Sequence, residues 1–379
     1  MIAPLKIDQL LKAGPTKSRI DAFIAENKFP IVQGEQATFV FRGQADKLIL
    51  RHWIYGLESA NELQRVPETD LWHLTLDVPP RSRVEYKYEI HRGSKSKWIE
   101  DPLNPNRARD PFGANSVLQG EGYELPEWTN PDPEARPGIL EPLKFDSPTV
   151  GERHGHIYLP ARFRRSRQYP LLVVHDGSDY LKYTQMKTVL DNLIHRLEIP
   201  DIIVAFTDSS DRLREYGNDV THAHFVTEEL LPELQRLLPL IDRPQARGLM
   251  GASFGAVAAF STAWRYPRVW GRLLLQSGSF AFTDIGKRNH RGPLFDRVVE
   301  FINNFRDQPT AMSERVFVSC GVYESLIYEN RSLIPLLETT GMEVKFVEAR
   351  DGHNWENWRD RLREGLSWLF PGPLMFVYE

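Results

Sequence analysis

The chain is almost devoid of cysteine: of its 379 residues only Cys320 carries a thiol. No disulfide can form within it, and a lone thiol at the end of an apolar run fits a reducing compartment, where it packs rather than reacts. Long hydrophobic runs are also missing. No stretch approaches the ~20 apolar residues that a membrane span requires. The N-terminal stretch has no apolar core of a secretory signal and carries Lys6, Asp8, Lys12, Lys17 and Arg19, so a cytoplasmic location is expected. Charge of one sign does not dominate. Lys and Arg total 47 against 51 Asp and Glu, a net charge of −4 with the signs interspersed, which leaves no footprint for nucleic acid or a membrane surface. No phosphate loop, dinucleotide fingerprint or internal repeat is present, and no cofactor is expected. Two histidine pairs, His154/His156 and His222/His224, have the spacing of a strand-borne metal site. Neither has a nearby cysteine or a helical partner, so no metal is expected.

Against these absences stands one local pattern, Gly251-Ala252-Ser253-Phe254-Gly255. Arg247 to Met250 reads as the end of a short buried strand, and the alanine-rich Ala256 to Arg265 reads as a helix. A serine between two glycines at such a junction is predicted to sit on a tight, strained turn that lifts Oγ above a sheet. The helix N-terminus behind it would present N–H groups to a developing oxyanion.

Partners of the right chemistry follow downstream. Val316 to Cys320 is an apolar run of strand length that leads into Gly321-Val322-Tyr323-Glu324, and Glu343 to Val347 alternates like a strand before Arg350-Asp351-Gly352-His353. Serine, acid, histidine, with the last two on loops after successive late strands, is the chain order of α/β-hydrolases. A serine hydroxyl needs a neutral imidazole to take its proton, the role given to His353. Glu324 is the favoured orienting acid, with Glu329 and Asp351 as alternatives. For the oxyanion hole, one donor is expected to be the Phe254 amide. The other is the Gly177 or Ser178 amide, which follows the apolar strand Tyr169 to Val174. Arg212, after the strand Ile202 to Phe206, either faces substrate or pairs with Glu215 one helical turn on. Trp355 and Trp358 share helical spacing and either pack the last helix or wall the substrate pocket.

The Val-His-Asp-Gly loop, the Gly-Ala-Ser-Phe-Gly elbow, Asp208 to Tyr216, Thr227 to Leu234 and Asp351 to Arg359 together resemble the esterase D superfamily, and within it the enterochelin esterase-like branch. The resemblance spans about residues 150–371. It implies a serine ester hydrolase with Ser253, Glu324 and His353 on the motif positions. It also implies a small-molecule ester substrate, such as a catecholate siderophore or an aryl or acyl ester. Two departures, Ala256 in place of a second glycine and Phe254 where methionine is common, alter the pocket floor, so substrate identity does not carry over.

At this length two domains are expected. Gln36 to Phe41, Lys47 to Tyr55, Leu71 to Val78 and Arg83 to Ile90 are short runs rich in β-branched and aromatic residues, at the spacing of a β-sandwich. The predicted organisation is a helical segment over 1–25, an immunoglobulin-like β-sandwich over 26–125, and a proline-rich linker over 126–149. A doubly wound α/β-hydrolase follows over 150–379. The sandwich resembles the module that precedes the hydrolase in enterochelin esterases. Its Trp53, Trp72 and Trp98 either fill a core or stack against sugar, and the polar stretch 104–113 reads as a long loop. A carbohydrate esterase with a glycan-binding sandwich and a non-catalytic binding protein of hydrolase shape are the alternative readings. Oligomeric state is open.

Overall fold

A computed structural model describes residues 4–282 and 293–373. The described residues divide into two compact units. The smaller runs to Leu125 and takes in two short segments from far downstream, Val322–Ser325 and Ala349–Asn354; the larger holds the rest.

The smaller unit begins with two helices, α1 (Lys6–Lys12) and α2 (Lys17–Glu26), the latter capped by the Thr16 hydroxyl on the Arg19 amide. Ten strands follow: β1 (Ile31–Gln33), β2 (Gln36–Arg42), β3 (Lys47–His52), β4 (Ala60–Glu62), β5 (Gln64–Arg65), β6 (Leu71–Asp77), β7 (Arg83–Arg92), β8 (Lys95–Ile99), β9 (Arg107–Asp110) and β10 (Gly113–Gln119). They form two antiparallel sheets, ordered β1-β2-β6-β5 and β4-β3-β7-β10-β9, with β8 also paired to β7. Alternation places Ala37, Phe39 and Phe41 of β2 in one apolar cluster with Leu48, Leu50, Tyr86 and Tyr88 of β3 and β7. Val40, on the opposite face of β2, packs with Ile7, Leu10, Ile20 and Phe23 of the two helices.

Two expectations need correction here. Of the three tryptophans, Trp72 is a core residue whose Nε1–H donates to the Gly43 carbonyl at 3.1 Å, while Trp53 and Trp98 are about half exposed. The three therefore do not share one stacking face. The stretch 104–113 is not a free loop either, because β9 pairs with β10 and the Asn104 amide nitrogen donates to the Tyr86 hydroxyl at 3.0 Å.

The larger unit is built on an eight-stranded sheet, ordered β11-β12-β14-β13-β15-β16-β17-β18. Its strands are β11 (Ile139–Ser147), β12 (Gly151–Leu159), β13 (Leu171–His175), β14 (Ile203–Thr207), β15 (Arg247–Ala252), β16 (Arg272–Gln276), β17 (Arg315–Gly321) and β18 (Glu343–Ala349). β11, β12 and β14 pair antiparallel, and β14, β13, β15, β16 and β17 pair parallel. Residues 126–149, read from their proline density as a linker, thus supply an edge strand. β11 pairs with β12 along its whole length, from Ile139↔Leu159 to Ser147↔Gly151.

Helices cover both faces: α3 (Gly177–Tyr183), α4 (Met186–His195), α5 (Arg212–Tyr216), α6 (Val220–His224), α7 (Leu231–Leu237), α8 (Phe254–Arg265), α9 (Asp296–Asp307), α10 (Ile327–Thr339), α11 (Trp355–Asp360) and α12 (Leu362–Leu369). The central strands are continuous apolar runs because each side chain meets a helix whichever way it points. Leu171 and Val173 join the cluster that holds α8, α9 and α10, and Leu172 and Val174 join the cluster of α4, α11 and α12. Phe260 of α8 anchors the first face, with its ring 4.9 Å from Phe305, 5.0 Å from Phe301 and 5.6 Å from Phe280. No helix among the described residues is long and apolar enough to cross a membrane.

Candidate active site

In the larger unit, β15 ends at Ala252 and α8 starts at Phe254, leaving Ser253 alone at the turn with φ 57° and ψ −120°. A residue with a Cβ holds such a conformation only where its surroundings over-determine it. The Ser253 amide donates to the Gln276 carbonyl at 2.9 Å, and the Ser279 amide donates to the Ser253 carbonyl at 3.2 Å. Gln276, fully buried, is itself clamped: the Tyr180 hydroxyl donates to its Oε1 and its Nε2 donates to the Trp358 carbonyl, both at 2.8 Å. Gly251 makes the turn sterically possible, since a Cβ there would lie 2.3 Å from the Gly255 carbonyl. The Ser253 and Ser279 hydroxyl oxygens are 3.2 Å apart. Phe254 occupies the first position of α8, where a backbone N–H has no intrahelical acceptor.

The loop after β13 departs from expectation at Ser178. Its amide donates to Asp208 Oδ1 at 3.0 Å and its hydroxyl to Asp208 Oδ2, so that N–H is already committed. Gly177 opens α3, again at a position without an intrahelical acceptor. Glycine is needed there for packing, because a Cβ would lie 2.5 Å from Cβ of Phe206 on β14. Asp176 before it adopts a left-handed conformation, φ 55°, and presents both oxygens to Arg212, whose Nε and Nη2 donate to Oδ1 and Oδ2 at 2.8 Å each. The expected pairing of Arg212 with Glu215 is therefore not formed. Glu215 is taken by Arg153 at 2.8 Å and by the hydroxyls of Ser209 and Ser210. Both carboxylates are buried, and Asp176 wins Arg212 by offering both oxygens to the guanidinium fork while Glu215 is already occupied.

His175, at the end of β13, is buried with its Nδ1 3.0 Å from the Met250 carbonyl and its Nε2 3.1 Å from His222 Nε2. A carbonyl accepts only, so neutral His175 carries its proton on Nδ1 and its Nε2 accepts a hydrogen bond from His222 Nε2–H. Burial pushes both imidazoles below their usual range, His222 the further. His224 lies 3.7 Å from Glu229 instead, and no group of three or more metal-ligating side chains converges among the described residues.

Trp355 also departs from a substrate-wall role. It is buried, stacked on Tyr183 at 5.6 Å and edge-on to Tyr180 at 5.3 Å and Trp358 at 4.7 Å. Trp358 donates its Nε1–H to Ser277 at 2.9 Å.

The acid and the histidine lie in the smaller unit. Glu324, 4% exposed, follows Gly321 at the end of β17; His353 follows β18 and is 37% exposed at its side chain. Glu324 Oε2 is 2.5 Å from His353 Nδ1. A carboxylate at Nδ1 selects the tautomer that carries its proton there and turns Nε2 into an acceptor. The competing acids sit differently. Glu329 is buried on α10. Asp351 Oδ1 accepts from the Gly352 amide and Asn354 Nδ2, both at 2.7 Å, and from Arg83 Nη1 at 3.2 Å. Burial raises the Asp351 pKa from 3.8 to about 6, with Arg83 opposing the rise. Sequence reasoning gave Arg83 no role. Its position at the start of β7 carries no signal for a partner 268 residues downstream.

Comparison with known proteins gives a consistent assignment. The family described as "Putative esterase" matches residues 147–369. Iron(III) enterobactin esterase of Escherichia coli (strain K12) is 23% identical over 356 residues, covering 84% of this chain and 86% of its own. Iron(III) enterobactin esterase of Dickeya dadantii (strain 3937) is 26% identical over 356 residues, covering 82% and 79%. Among solved structures, ferric enterobactin esterase from Salmonella typhimurium superposes with a TM-score of 0.73 at 21% identity, covering 88% of this chain and 93% of that one. The likeness in structure shows a shared α/β-hydrolase fold.

Proposed function

The chain belongs to the esterase family, in its enterochelin esterase-like branch, and is a carboxylic ester hydrolase; on that premise we propose that it cleaves the ester bonds of a catecholate siderophore through an acyl-enzyme on Ser253. In this reading His353 Nε2 takes the Ser253 proton as Oγ attacks the ester carbonyl. Glu324 orients the ring and stabilises the imidazolium. The amides of Phe254 and Gly177 hold the oxyanion. His353 then returns the proton to the departing alkoxide, and water repeats the sequence to release the acid.

The observation that carries this reading is the buried Glu324 carboxylate 2.5 Å from Nδ1 of His353, because an acceptor at that nitrogen fixes the ring and leaves Nε2 free of a proton to receive one from serine. The substrate class is supported by relatives named iron(III) enterobactin esterase, which align over most of their own length. Residues 26–125 are assigned in the same reading to an immunoglobulin-like sandwich ahead of the hydrolase domain. A cytoplasmic location is supported by a single, buried cysteine.

The test is a substrate panel on the purified chain: a catecholate trilactone, its linear fragments, feruloyl esters and p-nitrophenyl esters. The trilactone should give the highest kcat/KM, and Ser253→Ala should abolish both turnover and fluorophosphonate labelling. A preference for feruloyl esters would displace the substrate assignment. Labelling at another residue would displace the nucleophile.

A further inference from the structure

The segments that carry Glu324 and His353 are tied to the sandwich strands by a set of hydrogen bonds. The Arg83 amide donates to the Arg350 carbonyl at 2.9 Å, and Arg350 Nη1 donates to the Pro80 carbonyl at 2.7 Å. The Tyr55 amide donates to the Tyr323 carbonyl at 2.8 Å, and the Ser82 and Tyr323 hydroxyls are bonded to each other. At the centre is the Arg83 guanidinium, 3% exposed. Its Nη1 lies 3.2 Å from Asp351 Oδ1 and 3.0 Å from Asn354 Oδ1, and both terminal nitrogens lie 3.1 Å from Glu85 Oε1. Glu85 is anchored in turn by Asn115 Nδ2 at 2.6 Å.

Asp351 and Asn354 bracket His353 in the turn Asp-Gly-His-Asn. One buried cation, fixed to a rigid strand, therefore grips both ends of the turn. Gly352 inside it is the residue least able to hold the turn unaided. A planar guanidinium can serve three acceptors at fixed angles, which an ammonium on a flexible stem cannot.

We propose that Arg83 is a positioning residue for His353, so that the sandwich module acts as a structural part of the catalytic apparatus. This rests on the reading of His353 as the base. A base must be held to within about 0.5 Å of its productive position, so loosening the turn lowers kcat and leaves substrate binding little changed.

The test compares Arg83→Met, Arg83→Lys and Asn354→Ala in the full chain on p-nitrophenyl acetate. Arg83→Met should lower kcat about 10–100-fold with KM within about twofold, and Arg83→Lys should recover part of the loss. Asn354→Ala removes an acceptor of Arg83 together with a donor to Asp351 and should cost about 3–10-fold in kcat. If Arg83→Met does not fold, Asn354→Ala decides. In a His353→Ala background Arg83→Met should cause no further loss, since residues acting as a unit are not additive. Wild-type kcat in a folded Arg83→Met or in Asn354→Ala, with His353→Ala inactive, overturns the brace alone. An additive loss in the double variant overturns it too. Wild-type kcat in His353→Ala would bring down the base assignment, and the brace with it.

Discussion

On the proposed mechanism, replacing Glu324 by Gln separates the acid that serves the imidazole from those that only surround it. The change keeps side-chain shape in a site where the carboxylate is 4% exposed and 2.5 Å from His353 Nδ1, so the fold should be retained. Two things are lost: the charge that stabilises the imidazolium, and the exclusive acceptor that sets the tautomer. An amide can turn its NH2 toward Nδ1 and drive the proton to Nε2, where it blocks proton transfer from serine. A neutral isostere at this position of a Ser-His-acid unit lowers kcat by about 10³–10⁴-fold, or about 4–5.5 kcal/mol of barrier. Asp351→Asn leaves the Glu324 contact intact and should cost no more than about tenfold in kcat, through the loosened turn. The assay is pre-steady-state acylation by p-nitrophenyl acetate, with the rate of fluorophosphonate labelling as a second readout. A Glu324→Gln variant within about tenfold of wild type, beside an inactive Asp351→Asn, would refute the assignment.

Asp351 also gives a pH dependence of stability. Its folded-state pKa of about 6 exceeds the ordinary 3.8, so the native state binds the extra proton between these values and stability falls as pH rises through that window. The shift of about two units corresponds to at most about 3 kcal/mol. Denaturation midpoints of wild type and Asp351→Asn at pH 4.5 and 7.5 should show this component disappearing in the variant. Gly251→Ala places a methyl 2.3 Å from the Gly255 carbonyl and should displace the elbow, abolishing Ser253 labelling and costing about 3 kcal/mol or more of stability by urea denaturation. Phe260→Ala empties the centre of a four-ring cluster on the far side of α8 and should cost about 3–5 kcal/mol, measured the same way.

Much of the secondary structure was legible in the chain. The apolar run Val316 to Cys320 and the alternating run Glu343 to Val347 lie within β17 and β18, and the alanine-rich stretch from Ala256 lies within α8. The N-terminal runs at Gln36, Lys47, Leu71 and Arg83 each start a strand at the residue expected. These elements declare themselves because burial on one or both faces imposes a period on the residues that form them. β11 was hidden because proline and charge dominate its local composition, while its strand character comes from pairing with β12. Polar pairing was the least legible layer. Nothing local favours Asp176 over Glu215 for Arg212, or Asp208 for the Ser178 amide, since each choice depends on which carboxylate the backbone delivers within reach.

Local chemistry and periodicity were enough to place a serine on a glycine-flanked turn between a strand and a helix, and to order an acid and a histidine after it. Such features are written in consecutive residues. The choice among Glu324, Glu329 and Asp351 is a different kind of question, because all three carboxylates have the same intrinsic chemistry and fall within a short stretch of chain. Their surroundings separate them: Glu324 meets an imidazole, Asp351 meets a buried guanidinium on β7, and Glu329 is enclosed on α10. Contacts between residues hundreds of positions apart form only when two distant backbones close on each other, so the division of labour among identical groups belongs to the folded chain.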